Sequence, residues 1–135
     1  MSVPFPSDVW VKAMMVDLNA SAAYLDAAKN WEGSFDFIVT LPDGKVTTLY
    51  MDLMHGKCLE AFEVPADAVD HKAAFRLSGP VATWKKVMTK KLDPMQAMMT
   101  GQLKLAGNMA MVMKNVRAAK ELVESCTRIP TDFPV

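Results

Sequence analysis

Residues 84–115 read WKKVMTKKLDPMQAMMTGQLKLAGNMAMVMKN, and this stretch decides how the rest of the chain is read. It holds Met88, Met95, Met98, Met99, Met109, Met111 and Met113, seven of the chain's 12 methionines. Asp93-Pro94 is an N-cap followed by proline at the first helical position, so a short helix starts there and runs to Met99. Gly101 ends it, QLKLA reads as a strand, and Gly107-Asn108 caps a closing helix. So apolar a stretch, with no acid, base or nucleophile in a catalytic pattern, points to holding an apolar molecule rather than transforming it. Methionine is unbranched and polarizable, and it lines walls that accept more than one apolar shape. The competing explanation is that these methionines simply fill a core.

Working outward, Val81, Trp84, Val87 and Met88 give a short amphipathic helix that begins where Gly79-Pro80 stops a strand. That strand, AAFRLS, turns Phe75 and Leu77 to its apolar side, and residues 66–72 before it are a polar connection without period. Further upstream the period is two. Phe35, Phe37, Val39 and Leu41 share one side of a strand, with Ser34, Asp36 and Thr40 on the other. Pro42-Asp43-Gly44 turns the chain into a second strand, in which Leu49, Met51 and Leu53 alternate with Thr48, Tyr50 and Asp52. His55-Gly56 turns it again into CLEAFEV, which Pro65 ends, so the three strands form an antiparallel meander with one polar face. Before the meander, Ser7-Asp8 caps a helix bearing Val11, Met14, Met15, Leu18, Ala22 and Leu25, broken near Asn19 and Ser21. After the methionine-rich stretch, Val112, Val116, Ala119, Val123 and Cys126 form an apolar stripe on the closing helix. Lys114, Arg117, Glu121 and Glu124 take its opposite face. Helices, then a meander, then helix, strand and helix together read as α+β.

A chain of 135 residues is expected to form one domain, residues 1–135, with a core that needs no staples. Fifteen basic residues, counted as Lys+Arg 15, balance Asp+Glu 15, so no global field favours nucleic acid. Cys58 and Cys126 make no disulfide framework. No apolar run reaches the roughly 20 residues of a membrane span, and the N-terminus lacks the features of a signal peptide. Asn19-Ala20-Ser21 fits a glycosylation pattern, which has no meaning without secretion. The ending Thr131-Asp132-Phe133-Pro134-Val135 is no peroxisomal address, and a cytoplasmic location is expected.

Asp52, His55 and Cys58 are the only catalytic-looking cluster. A thiol beside an imidazole becomes a nucleophile, yet these residues straddle a hairpin turn and sequence proximity alone does not aim them at one point. His55, His71 and the cysteines show no metal-ligand spacing, and glycine-rich nucleotide motifs are absent, so neither metal nor cofactor is expected. Lys85, Lys86, Lys90, Lys91 and Lys104 form the most basic part of the chain. They read as a solvated face, or as a mouth for anionic headgroups or coenzyme A phosphates.

Taken together, W-K-K-V-M from Trp84, D-P-M-Q-A-M at Asp93–Met98 and T-G-Q-L-K-L-A-G-N at Thr100–Asn108 resemble the sterol carrier protein 2 domain family of nonspecific lipid-transfer proteins. Gly101, Leu103 and Gly107 fill its G-x-L-x-x-x-G pattern, and Leu18, Asn19, Tyr24, Ala27, Trp31 and Gly33 are similar to its N-terminal motif. The resemblance implies a five-stranded, mostly antiparallel sheet with helices packed on one face, enclosing an apolar tunnel. It implies noncovalent binding of fatty acids, fatty acyl-coenzyme A, sterols or phospholipids, with no catalysis. By position the expected lining is Phe75, Leu77, Trp84, Met88, Met95, Met98, Met99, Leu103, Leu105, Met109, Val112, Met113 and Val116. The expected partners are a lipid ligand, a transiently touched membrane surface and a second copy of the chain, met through Trp10 and neighbouring apolar residues. Two other roles fit the same residues: a structural, dimerising or accessory domain serving a lipid- or steroid-metabolising enzyme, and an enzyme built on Cys58 and His55.

Overall fold

A computed structural model describes residues 2–135. The chain opens with a two-residue strand, β1 (Val3–Pro4), and then α1 (Asp8–Ala20) and α2 (Ala22–Ala27). The Ser7 side chain accepts the Trp10 amide, and Ser21 both ends α1 and caps α2, so serine placement sets each boundary. The meander follows as β2 (Glu32–Thr40), β3 (Val46–Met54) and β4 (Lys57–Glu63). Next come β5 (Phe75–Pro80), α3 (Val81–Met88), α4 (Pro94–Met99) and β6 (Lys104–Ala106). The chain closes with α5 (Met109–Lys114), α6 (Val116–Arg128) and β7 (Thr131–Asp132). No helix among the described residues is long and apolar enough to cross a membrane.

The five-stranded sheet has the order β4-β3-β2-β5-β6. Every pairing is antiparallel except β2 with β5, where Phe35 stands opposite Phe75 and Phe37 opposite Leu77. Alternation then sends Phe35, Phe37, Val39, Leu49, Met51 and Leu53 to the helix-bearing face, where all are buried. Two glycines flank Phe75: a Cβ would stand 2.8 Å from its ring at Gly33 and 2.7 Å at Gly107. The second glycine of the G-x-L-x-x-x-G pattern is thus needed for close approach, and its φ of 131° excludes most other residues as well.

The opposite face is less polar than the sequence pattern predicts. Since β5 lies beyond β2 from β4, residues 64–74 must cross over the sheet. His71 in that crossing places its ring edge-on to Tyr50 and near Phe62, and its Nε2 contacts both oxygens of Asp36 at 2.8 and 3.0 Å. Asp36 is thereby fully buried, with Arg76 3.9 Å away. A period-two reading assigns Asp36 to solvent because it cannot see the segment that covers it.

Two more expectations change. The closing helix is two helices, since Asn115 at φ −120°, ψ 37° interrupts it, its side-chain amide donating to the Met111 carbonyl at 2.8 Å. Trp10 is no dimer contact: it is fully buried, stacked edge-on to Phe5, and donates its indole N–H to Thr131 Oγ1 at 3.0 Å. Asn19, in the glycosylation-like triplet, uses its amide to bond both the N–H and the C=O of Cys58, tying α1 to β4.

Candidate functional site

The site lies between β2, β5 and α6 and is a line of three spaces. The one farthest along the line from the third, about 20 Å³, is bounded by Tyr24, Trp31, Phe35, Leu53, Val112, Ala118, Ala119 and Leu122. The middle one, about 40 Å³, is wholly apolar, with Phe35, Phe37, Leu77, Trp84, Val87, Met88, Pro94, Met98 and Leu103 on one side. Val112, Ala119, Leu122, Val123 and Cys126 complete its wall. Phe35, Val112, Ala119 and Leu122 belong to both spaces, so only side chains separate them. The third space, about 310 Å³, is a solvent-facing vestibule formed by Val87, Lys90, Leu92, Asp93, Pro94, Lys120, Val123, Glu124 and Thr127. It shares Val87, Pro94 and Val123 with the middle space.

An acyl-wide tunnel, expected from the resemblance, is not open here. Small-molecule pockets usually run to about 300–1,000 Å³, far above the 40 Å³ of the middle space. Apolar walls close on each other because unfilled volume forfeits dispersion contacts. What the sequence provides is a seam rather than a tube. It is softened by Met88 and Met98, whose side chains change shape at low cost, and by the small side chains Ala118 and Ala119 on α6.

Of the residues expected to line the site, Leu77, Trp84, Met88, Met98, Leu103 and Val112 come together at the middle space. Phe75 is buried one layer away, stacked on Phe35 with ring centroids 5.3 Å apart. Met95, Leu105 and Val116 are half-buried outside the two apolar spaces. Met99, Met109 and Met113 face solvent at 81%, 44% and 51% exposure and border neither apolar space. Met98 and Met99 are adjacent on α4 and only Met98 turns inward. The residues that spacing misses are Phe35 and Phe37 on β2, Val87 and Pro94, and Ala119, Leu122, Val123 and Cys126 on α6. For Ala119, Val123 and Cys126 the signal is the apolar stripe of the closing helix, which in sequence looks like an ordinary core contact.

Of the lysine cluster, Lys90 alone reaches the vestibule. Lys85 instead donates to the Val135 carbonyl at 2.8 Å and lies over the Phe133 ring. Lys90 pairs with Glu124 at 3.4 Å, both exposed.

In the Cys58 cluster the thiol and the imidazole are each committed to other partners. Burial pushes the Cys58 thiol up to about 11, and its S–H donates to the Glu60 carbonyl at 3.4 Å. His55 is turned away, with Nε2 2.9 Å from Glu32 and Nδ1 2.9 Å from the Lys29 carbonyl. Cys126, in the seam wall, is pushed up to about 12 by burial, which leaves it an apolar wall atom at neutral pH. Among the described residues no group of His, Cys, Asp and Glu is arranged to hold a metal ion.

A family model described as the SCP-2 sterol transfer family matches residues 14–120. A crystal structure of sterol carrier protein 2 is 34% identical, covers 91% of this chain and 97% of its own, and superposes with a TM-score of 0.84. The solution structure of a conserved hypothetical protein from Thermus thermophilus is also 34% identical, covers 94% and 90%, and gives 0.81. Sterol carrier protein-2 from Aedes aegypti, solved in complex with the C16 fatty acid palmitate, shares the fold at 18% identity, 93% and 98% coverage and a TM-score of 0.54. No curated protein matches the chain in sequence.

Proposed function

The chain belongs to the SCP-2 sterol transfer family, and on that premise we propose that it binds lipids noncovalently in the seam between β2, β5 and α6. The observation that carries this reading is the continuity of apolar wall from the vestibule, through Val87, Pro94 and Val123, to Trp31 and Tyr24 at the far end. Each buried methylene of a guest contributes about 0.8 kcal/mol, so an acyl chain binds tightly without a hydrogen bond from the walls. The Aedes aegypti protein holds palmitate in the same fold. The narrowness of the seam favours flexible chains, fatty acids and fatty acyl-coenzyme A, over rigid sterol rings, which would have to separate the walls along their whole length. Phospholipids need room for two chains and rank between. Lipid transfer, with the protein touching a membrane surface to load or unload, follows from the same reversible binding.

Titration with the fluorescent fatty acid cis-parinaric acid tests the reading. Saturable one-to-one binding, displaced by palmitate, is the expected result. A protein that leaves the probe in water would favour a dry structural or accessory domain, the reading to which the small volumes of the two apolar spaces lend their weight.

A further inference from the structure

Resting on the lipid-binding reading above, we propose that the vestibule is the port of the seam. There Lys90 and Lys120 hold the anionic headgroup of a single-chain lipid, and the Lys90–Glu124 ion pair is the latch across the opening. Two independent observations meet at this place. The vestibule is the space that combines charged walls with three apolar side chains, Val87, Pro94 and Val123, that are also walls of the middle space. A head and a tail are therefore accommodated on either side of one boundary. The second observation is how its charges are committed. The Asp93 carboxylate accepts the Gln96 amide at 3.0 Å and is engaged in capping α4. Glu124 faces Lys90 at 3.4 Å. Lys120 makes no ion pair within 4 Å among the described residues, so it is the cation of the port left to meet an arriving anion, while Asp93 keeps its own charge and the four charged side chains of the lining balance.

The latch also joins the elements that must part. Lys90 follows shortly after α3 and has a left-handed backbone, φ 63°, while Glu124 lies on α6, so the pair spans the two helices that flank the boundary residues Val87 and Val123. A carboxylate or phosphate arriving at the port competes with Glu124 for Lys90 and is met by Lys120. Exchange of one anion for another at an exposed site costs little, so the headgroup releases the latch cheaply, and the tail then parts the closed walls at Val87, Pro94 and Val123.

Three proteins test this: wild type, the double variant Lys90→Gln/Lys120→Gln, and Glu124→Gln. Each is titrated with cis-parinaric acid, with its uncharged methyl ester, and with a pyrene-labelled lysophosphatidic acid. The double variant should lose about three- to tenfold in affinity for the charged probes and stay within about twofold for the ester. Glu124→Gln should bind the charged probes about twofold more tightly. Salt should shrink the difference between acid and ester. The charged probe that suffers the larger loss identifies carboxylate or phosphate as the headgroup recognised. If the double variant binds acid and ester with equally reduced affinity, or with none reduced, the port is overturned while lipid binding stands. If wild type binds none of the three probes, the lipid-binding reading falls and the port falls with it.

Discussion

The two ends of the sheet's helix-bearing face are closed in different ways. Over β3 and β4, α1 places Trp10, Val11, Met14 and Leu18 at zero exposure and adds directional ties, the Asn19 amide to Cys58 and the Asp8 carboxylate to the Glu63 amide at 2.9 Å. Over β2 and β5, the cover consists of α3, two six-residue helices, α4 and α5, and α6, with two spaces left beneath. Methionine serves in both regions with opposite effect. Met14 and Met51 are fully buried and locked by their neighbours, whereas Met98 borders unfilled volume and Met99 is in water. The same side chain gives rigidity where volume is filled and adaptability where it is not. One end of the sheet therefore carries the stability and the other carries the proposed ligand.

The most severe way to break this contrast is Trp10→Ala. It should cost about 3–5 kcal/mol in urea unfolding while leaving cis-parinaric acid affinity per folded molecule unchanged. A loss below about 1 kcal/mol would mean that the α1 half is not the stable one. Next comes the neighbouring pair on α4. Met98→Ala should weaken parinaric acid about fivefold, through lost contact with the chain, for a stability loss of about 1 kcal/mol. Met99→Ala should shift stability by no more than about 0.5 kcal/mol and leave binding alone. Equal effects of the two would remove α4 from the seam wall.

The last effect, read through its pH dependence, concerns the tie between the two regions. Arg128 on α6 meets Asp17 on α1 through two nitrogens at 2.7–3.1 Å, and the Ser125 hydroxyl donates to the same carboxylate at 2.6 Å. Burial pushes the Asp17 carboxyl up, but the Arg128 guanidinium and Ser125 outweigh it and hold it below the usual carboxylate range. A depressed folded-state pKa stabilises above the unfolded value near 3.9 and ceases to do so as pH falls through the folded value. Partial exposure limits the contribution to about 1 kcal/mol or less. Asp17→Asn should therefore unfold more easily than wild type at pH 6, with the gap closing as pH falls below the ordinary carboxylate range.

Much of the architecture is legible in residue spacing because its determinants are local. Ser7, Ser21, Asp93 and Asn108 each cap the helix they precede, and the period-two runs at Phe35 and Leu49 form strands with their apolar sides inward. What spacing misses is what distant segments do to one another. Asp36 reads as a solvent-face residue because nothing near it in sequence announces His71. Trp10 reads as a surface contact because its cover, Phe5 and Thr131, comes from both ends of the chain. Within the seam, several expected positions lie elsewhere for a related reason. Apolarity alone marks Met109 and Met113 as strongly as Met98, and only the packing of the folded chain brings Met98 to the seam and leaves the other two in solvent. Lys120 has no signal in the sequence because its role depends on Pro94 and Lys90, which reach it only in the folded chain.

The three tryptophans give the molecule a built-in depth gauge. Trp84 borders the middle space and Trp31 the one beyond it, while Trp10, on the buried side of α1, lines neither. Indole emission responds to what touches the ring. A short-chain guest should therefore alter the fluorescence of Trp84 alone, a longer one that of Trp84 and Trp31 together, and Trp10 should stay constant as an internal standard. Single-tryptophan variants read against a ladder of chain lengths would turn the order of these rings into a ruler for how far along the seam each guest extends.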